Sequence, residues 1–156
     1  MKEEVSNNPG YKFPKDYRLH HRSLVEGLFR RGEAFYEFPF RVTWRVLSDE
    51  ELNKNFRNVV PEGIGSLQMM VTIPKKKRKH AVDRVLMRRR IKEAYRLNFT
   101  TLRQKVEDYS GIKTMSLGIV YIHDKNLPYK TMEEKMMAVL NKLELKIDKK
   151  EEERNV

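Results

Sequence analysis

The sequence contains no cysteine, one tryptophan and seven glycines among its 156 residues. The lack of cysteine excludes a disulfide framework and a thiolate metal site. No apolar run approaches the roughly 20 residues that a membrane-spanning helix needs. The first residues, Met1-Lys2-Glu3-Glu4, also lack the apolar segment of a signal peptide. We therefore expect a cytoplasmic protein without a membrane-spanning segment.

Recognisable catalytic motifs are also missing. The four histidines, His20, His21, His80 and His123, have no ligand-like spacing with one another or with carboxylates. No glycine-rich loop leads from a strand into a helix, as nucleotide binding of the P-loop kind requires. No serine or threonine has a recognisable nucleophile context. We therefore assign no catalytic residue and no metal ligand to this chain.

What the sequence does contain is a concentration of positive charge. The formal net charge is +11. Between Lys75 and Lys92 there are ten Lys or Arg residues and one acid, Asp83, which gives a local charge of +9. The rest of the chain therefore carries only +2 (11 minus 9). One concentrated cationic element in a nearly neutral chain is typical of a protein that binds a polyanion.

The same stretch has the pattern of an amphipathic helix. Basic residues recur at every fourth position over residues 84–96, which places them in one row on a helix. Met87 and Ile91 fall on the other side, which is expected to pack, and Asp83 is predicted to be the N-cap. A solvated helix face is the simpler interpretation. However, only Glu93 interrupts the cations, and so much self-repulsion favours an anionic partner such as nucleic acid.

Hydrophobic periodicity predicts the order α-β-β-β-α-β-α. Helices are predicted over 23–31, from 84 towards Ser110-Gly111, and over 131–147. Strands are predicted over 33–38, 40–47, 67–73 and 115–122, and 48–65 is interpreted as a long connecting loop. The basic helix lies in a β-α-β crossover, so the strands on either side of it should be parallel. The expected fold is α+β: a two-layer sandwich with a mixed four-stranded sheet.

Helix boundaries are predicted from local signals. Ser23 and Glu26 form a capping-box pattern, and Gly32 stands where a left-handed residue often ends a helix. Thr131 begins a second capping box. These signals predict where the first and last helices begin and where the first one ends.

The central motif consists of Val71-Thr72-Ile73-Pro74-Lys75-Lys76-Lys77, then Ala81-Val82-Asp83-Arg84, and then Arg88-Arg89-Arg90-Ile91-Lys92-Glu93-Ala94-Tyr95-Arg96. It resembles the signature of the protein subunit of bacterial ribonuclease P. The segments Arg18-Leu19 and Leu28-Phe29-Arg30-Arg31-Gly32 fit the N-terminal helix of that family. Composition predicts a flexible basic N-terminus (1–12) and a charged disordered tail (148–156). The resemblance implies a single RNA-binding domain (13–147) with a left-handed crossover.

The resemblance also implies a function. The protein would bind the catalytic RNA subunit and the 5′ leader of precursor tRNA, and would assist endonucleolytic removal of that leader. Catalysis would belong to Mg²⁺ ions held by the RNA and the substrate. The expected partners are ribonuclease P RNA and precursor tRNA, with no membrane and no obligate protein partner.

The site residues are carried over by position. The expected contacts to the RNA subunit, with Lys79 and Arg96 added from the same stretch, are Lys75, Lys76, Lys77, Lys79, Arg84, Arg88, Arg89, Lys92 and Arg96. The expected leader-binding residues, with two arginines added from the polar side of a strand, are Arg18, Val25, Phe29, Thr43, Trp44, Arg41 and Arg45.

Two positions depart from the family pattern. Val85 stands where the family usually has Asn, within the row of cations. Val25 stands where an aromatic residue usually lines the leader cleft, so leader binding would depend more on cations or on Phe29 and Trp44. The alternation of the strand leaves open whether Trp44 faces the cleft or the core.

Two other functions are weighed against this one. A structural RNA-binding protein, for example a ribosome-associated factor, would carry the same basic patch without any preference for a leader. A protein-only nuclease would need paired carboxylates, and the sequence offers no such motif.

Overall fold

A computed structural model describes residues 14–154 of the chain. The predicted flexible segment 1–12 lies outside these residues. A short 3-10 turn, Lys15–Tyr17, precedes α1 (Arg22–Arg31), and β1 (Glu33–Glu37) and β2 (Phe40–Leu47) follow. The remaining elements are α2 (Asp49–Asn55), β3 (Leu67–Thr72), α3 (Ala81–Asn98), α4 (Thr100–Asp108), β4 (Thr114–Tyr121) and α5 (Tyr129–Arg154).

The four strands form one mixed sheet in the order β1-β2-β4-β3. The pairs β1–β2 and β2–β4 are antiparallel, whereas β3 and β4 are parallel. This confirms the predicted α+β fold, its mixed sheet and the crossover through α3. The handedness of that crossover stays a prediction.

Helices cover both faces of the sheet. On one face, which we call the α3/α5 face, alternate strand residues such as Val42, Leu117 and Met69 pack with Met87 and Ile91 of α3 in the main core. On the opposite face, which we call the α1 face, a smaller apolar cluster joins α1 and α2 to the sheet. That cluster contains Leu19, Leu24, Leu28, Leu47 and Leu52. Each strand therefore has one set of side chains under α3–α5 and another set facing α1.

The predicted ends of α1 are corrected. Its N-cap is His21 rather than Ser23, and Ser23 Oγ instead accepts a hydrogen bond of 2.9 Å from Asn55 Nδ2. Gly32 has φ −75°, so it is not left-handed. A Cβ atom at Gly32 would lie 2.4 Å from the carbonyl oxygen of Leu28 and 2.8 Å from that of Trp44. Close approach of backbone, not a left-handed turn, is the reason for glycine at this position.

The segment 48–65 is not a simple loop, because it contains α2. Ser48 is the N-cap: its Oγ accepts from the backbone N–H of Glu51, and the Glu51 carboxylate accepts from the backbone N–H of Ser48. This reciprocal capping box is the sequence signal that the loop interpretation overlooked. Leu52 then buries α2 against the α1 face of the sheet.

The basic helix also differs from its prediction at both ends. It begins at Ala81 with His80 as the N-cap, so Asp83 lies in the first turn rather than at the cap. Near its C-terminus, Asn98 Nδ2 donates to the carbonyl oxygen of Ala94. The helix then ends, with Phe99 as its C-cap, before α4 begins. The single predicted helix is therefore two helices.

The tail predicted to be disordered is helical as far as Arg154, because α5 continues through it. Asp148 accepts from Lys105 Nζ at 2.7 Å, and the carbonyl oxygen of Lys150 accepts from Tyr109 at 3.1 Å. The ammonium groups of Lys146 and Lys150 also lie 5.8 and 5.5 Å from the centre of the Trp44 ring. Contacts of charged side chains, which leave no apolar period, hold this segment in place.

Candidate nucleic-acid interface

The buried side of α3 holds the basic stretch against the sheet. Met87, Ile91, Ala94 and Tyr95 are fully buried in the main core. Three cations of the row, Arg88, Arg89 and Lys92, lie on the other side, together with Val85, which is 47% exposed. The sequence therefore predicted the orientation of this helix correctly, including the exposed position of Val85.

Three other arginines of the basic stretch hold the structure together. The Nη2 atom of Arg78 lies 3.1 Å from the Asp83 carboxylate, and its guanidinium also donates to Asn126 and to the backbone oxygen of Asp124. The Nη1 atom of Arg84 donates to the carbonyl oxygens of Arg78 and Lys79 at 3.0 and 2.8 Å. Arg90 donates to the backbone of the segment that precedes α5. These contacts fix the segment 74–80 against the start of α3.

Asp83 has an electrostatic role in this arrangement. A hydrogen bond from Asn126 and the nearby charge of Arg78 keep the pKa of the Asp83 carboxyl below its ordinary value. A carboxyl whose pKa is depressed in the folded state stabilises the fold above its unfolded pKa, and this contribution is lost as the pH falls through the folded pKa. The anchor of the basic segment is therefore intact at neutral pH.

Arg96 differs from the rest of the row because it is paired with an acid. Its Nε and Nη2 atoms donate to the two carboxylate oxygens of Glu93 at 3.1 and 2.6 Å. Of the residues predicted to contact the RNA subunit, Arg84 and Arg96 are thus engaged within the protein. Within residues 14–154, the other seven form no ion pair with a carboxylate; they are Lys75, Lys76, Lys77, Lys79, Arg88, Arg89 and Lys92. We call these seven side chains the basic ridge.

Crowding of like charges marks the middle of the basic ridge. The pKa of Lys92 is lowered, mainly by burial and then by the charges of Arg88 and Arg18. Arg18 precedes α1, and its neighbour Leu19 donates its backbone N–H to the carbonyl oxygen of Met69 on β3. The predicted leader-binding residue Arg18 is therefore close to the basic ridge, at the edge of the sheet.

Part of the α1 face, beside α1, is a candidate cleft. Leu28 and Phe29 lie above Gly118, where an added Cβ would be 3.1 Å from each side chain. Phe29 is 44% exposed, and Val25 is on the same flank of α1 one turn earlier. Strand pairing places one row of side chains next to this flank: Tyr36, Arg41, Val120 and Thr72. We call this the cleft.

The predicted leader-binding residues are only partly brought together. Val25, Phe29 and Arg41 border the cleft, and Arg41 Nη1 donates to Thr43 Oγ1 at 3.4 Å. Thr43 itself is only 3% exposed. Arg45 lies on the opposite flank of α1, next to Gly27. It is therefore not part of the cleft.

The position of Trp44 corrects the prediction that it lines the cleft. Trp44 is 3% exposed and packs in the main core on the α3/α5 face, beneath the lysines of α5. It follows the alternation of Phe40 and Val42, because successive side chains of a strand point to opposite faces. Tyr36, an aromatic residue that is not among the predicted site residues, is 65% exposed and pairs with Arg41. The sequence signal for Tyr36 was the two-residue alternation along β1 and β2, which places it on the same face as Arg41.

Within residues 14–154, no group of three or more His, Asp or Glu side chains is placed to hold a metal ion. In the same part of the chain, no helix has the length and apolar character needed to cross a membrane.

Relatives with known names match most of the chain. The family model described as Ribonuclease P matches residues 13–144. A ribonuclease P protein component of Porphyromonas gingivalis is 26% identical over 136 residues, which cover 87% of this chain and 89% of the relative. The protein component of a second strain is 28% identical over 126 residues, which cover 81% of this chain and 82% of that relative.

Solved structures agree in fold. The Staphylococcus aureus RNase P protein aligns with a TM-score of 0.52 and 17% identity over 80% of this chain and 93% of that one. The Thermotoga maritima protein aligns with a TM-score of 0.54 and 16% identity over 80% and 96%. At such identities the structures bear on the fold alone. The family model, by contrast, covers the central motif together with α1 before it and most of α5 after it. The chain therefore belongs to the ribonuclease P protein family.

Proposed function

We propose that this chain is the protein subunit of a ribonuclease P ribonucleoprotein, in which it binds the catalytic RNA through the basic ridge and the 5′ leader of precursor tRNA through the cleft. Its task is to assist endonucleolytic removal of the leader in the cytoplasm. Mg²⁺ ions held by the RNA and the substrate supply the chemistry, and the side chains of this protein supply binding.

The observation that carries the proposal is the basic ridge itself. Seven cations of one stretch, carried by the segment before α3 and by the side of α3 that faces away from the core, have no carboxylate partner among the described residues. Such an arrangement is costly without an anion, because like charges repel. The phosphates of a folded RNA neutralise these cations and release condensed counterions.

The position of the cleft supports the second part of the proposal. Arg18 lies close to Lys92 of the basic ridge and also joins the edge of β3, whose Thr72 borders the cleft. We expect a strand of RNA that leaves the ridge to reach Phe29, a half-exposed aromatic ring on which a base can stack. Arg41 and Tyr36 border the same cleft.

Reconstitution with the cognate RNA tests the proposal. We expect the purified protein not to cleave precursor tRNA by itself, and to lower the Mg²⁺ concentration that the RNA needs for cleavage. We also expect the complex to bind precursor tRNA more tightly than mature tRNA, because only the precursor carries a leader. Failure to lower the Mg²⁺ requirement at modest salt would contradict the proposal.

Phe29→Ala provides the variant for the leader. Loss of base stacking is expected to weaken binding of the precursor by about 1–3 kcal/mol and to leave binding of mature tRNA unchanged. Leu145→Ala, which truncates an exposed apolar residue of α5, is the matched control and should change neither. Equal binding of the two tRNAs by the unmodified complex would favour a structural RNA-binding protein instead.

A further inference from the structure

A second basic site lies behind α1, on the flank opposite to the cleft. It is a cavity of about 620 Å³ between α1 and α2. Basic side chains dominate its lining, with only two acids, Glu26 and Glu51. The basic residues are Arg30, Arg31, Arg45, Lys54 and Arg57.

Both acids of the cavity accept hydrogen bonds from other groups, and the charge of Glu51 also acts favourably on the Arg45 guanidinium. Glu26 accepts from Arg22 Nε at 2.8 Å, and Glu51 accepts from the backbone N–H of Ser48 at 3.0 Å. Lys54 is paired with an acid one turn earlier on α2. Within residues 14–154, four cations of the lining form no ion pair: Arg30, Arg31, Arg45 and Arg57.

Arg45 is the side chain that distinguishes this cavity from an ordinary basic surface. Its Nη1 atom is buried and has no hydrogen-bond partner among residues 14–154. Burial, and then the charge of Arg31, lower the pKa of the Arg45 guanidinium. A buried donor on a charged group is costly when it is left unpaired. Because Arg45 also lines the cavity, an anion that enters can approach the accessible part of this side chain and partner its charge.

Gly27 provides the space for this guanidinium. A Cβ atom at position 27 would lie 2.2 Å from Arg45 Nη1. Position 27 is in the interior of α1, where glycine destabilises a helix relative to alanine. The sequence thus has a poor helix former at a position where a side chain would displace Arg45.

From this geometry we infer that the cavity is a phosphate-binding site for a single-stranded segment of RNA. Guanidinium groups bind phosphate through paired N–H donors, and four of them surround a space that holds a phosphate with its attached sugar and base. The inference rests on the proposed function, because the same protein already presents two other surfaces to RNA. It adds a third contact, separated from the cleft by α1.

Gly27→Ala tests the inference without removing any charge. The new methyl group should displace the guanidinium of Arg45, which is the mobile end of a side chain, while alanine keeps or raises the melting temperature. We expect affinity for a short single-stranded RNA oligonucleotide to fall at least about fivefold, in line with the loss of one charge-assisted contact. Arg45→Gln should give a similar loss, and it keeps the test valid if the helix around Gly27 rearranges.

The direct readout is the NMR signal of the Arg45 side-chain N–H during titration of the free protein. The oligonucleotide should shift this signal in the unmodified protein, and inorganic phosphate should shift it more weakly. An unchanged Arg45 signal, an equal response to a poly-glutamate peptide, or full affinity of Gly27→Ala would overturn the inference. Each of these results is separate from the Mg²⁺ requirement of the reconstituted complex, so the proposed function can stand if this site does not.

Binding measurements on the reconstituted complex show which RNA, the leader or the catalytic RNA, supplies the phosphate. If the leader occupies the cavity, Gly27→Ala weakens binding of precursor tRNA and leaves mature tRNA unaffected. If the catalytic RNA occupies it, the variant weakens assembly of the complex with either tRNA. A variant that changes neither step, despite a displaced Arg45, contradicts the inference.

Discussion

Replacing Arg88 and Lys92 together by alanine is expected to weaken binding of the catalytic RNA about 25- to 60-fold at 0.1 M salt. Each phosphate contact contributes about 0.7–0.9 to the slope of log affinity against log salt concentration. The seven cations of the basic ridge give a slope of roughly −5 to −6 for the unmodified protein if all of them contact phosphate. Losing two contacts removes about 1.4–1.8 from that slope, and the same number of log units from the affinity at 0.1 M relative to 1 M salt.

The control for this variant removes the same charge elsewhere. Lys113 and Lys149 are exposed, and within residues 14–154 neither forms an ion pair with a carboxylate. Replacing both by alanine should leave the slope nearly unchanged. Equal flattening by the two double variants would mean that RNA senses only net charge. Weaker binding of the Arg88/Lys92 variant with an unchanged slope would indicate misfolding.

Trp44→Ala is expected to lower the free energy of unfolding by about 3–5 kcal/mol, which is typical of deleting a large core side chain. A domain of this size is stable by only about 5–15 kcal/mol, so the loss is a large fraction of the total. The melting temperature should fall by roughly 6–20 °C. The reason is the position of the ring, which is 3% exposed beneath α5. Urea unfolding followed by circular dichroism measures the effect.

Trp44→Phe separates packing from any contact with RNA. It keeps an aromatic ring beneath Lys146 and Lys150 and removes an indole N–H that has no hydrogen-bond partner in the described part of the chain. We expect it to retain most of the stability, and we expect both variants, when folded, to keep the preference for precursor tRNA. A stable Trp44→Ala protein that loses this preference would instead assign Trp44 to leader binding.

The sequence predicted the orientation of the basic helix because two strong signals agree there. Apolar residues at helical spacing, including Met87 and Ile91, determine which side packs, and cations every fourth residue determine the other side. The sequence did not show which cations of this stretch form ion pairs within the protein. Glu93 was recognised as an interruption, but its bidentate contact with Arg96 depends on side-chain conformation.

Features that depend on contacts distant in sequence could not be predicted. The role of Arg78 depends on Asp124 and Asn126, more than forty residues later in the chain. The separation of Arg41 from Arg45 depends on where α1 crosses the sheet, although both arginines are on the same face of β2. By contrast, α2 had a local signal in Ser48 and Glu51, and that signal was overlooked.

The role of Val85 follows from the same geometry. It is exposed among the cations of α3, as the helical pattern predicts, so an apolar side chain faces the proposed RNA-binding side. An amide at this position would add hydrogen bonds to RNA, whereas valine offers only apolar contact. On the proposed function, binding at this turn of the helix is expected to depend on Arg88, Arg89 and Lys92.

Lysine footprinting of the reconstituted complex is the most direct test of whether the catalytic RNA binds the basic ridge. Acetylation of each lysine is measured by mass spectrometry with and without the catalytic RNA. The account predicts strong protection of Lys75, Lys76, Lys77, Lys79 and Lys92, with Lys113 and Lys149 remaining reactive. Uniform protection of all lysines, or protection of Lys113 and Lys149 while Lys92 stays reactive, would contradict the claim that the basic ridge is the surface that binds the catalytic RNA.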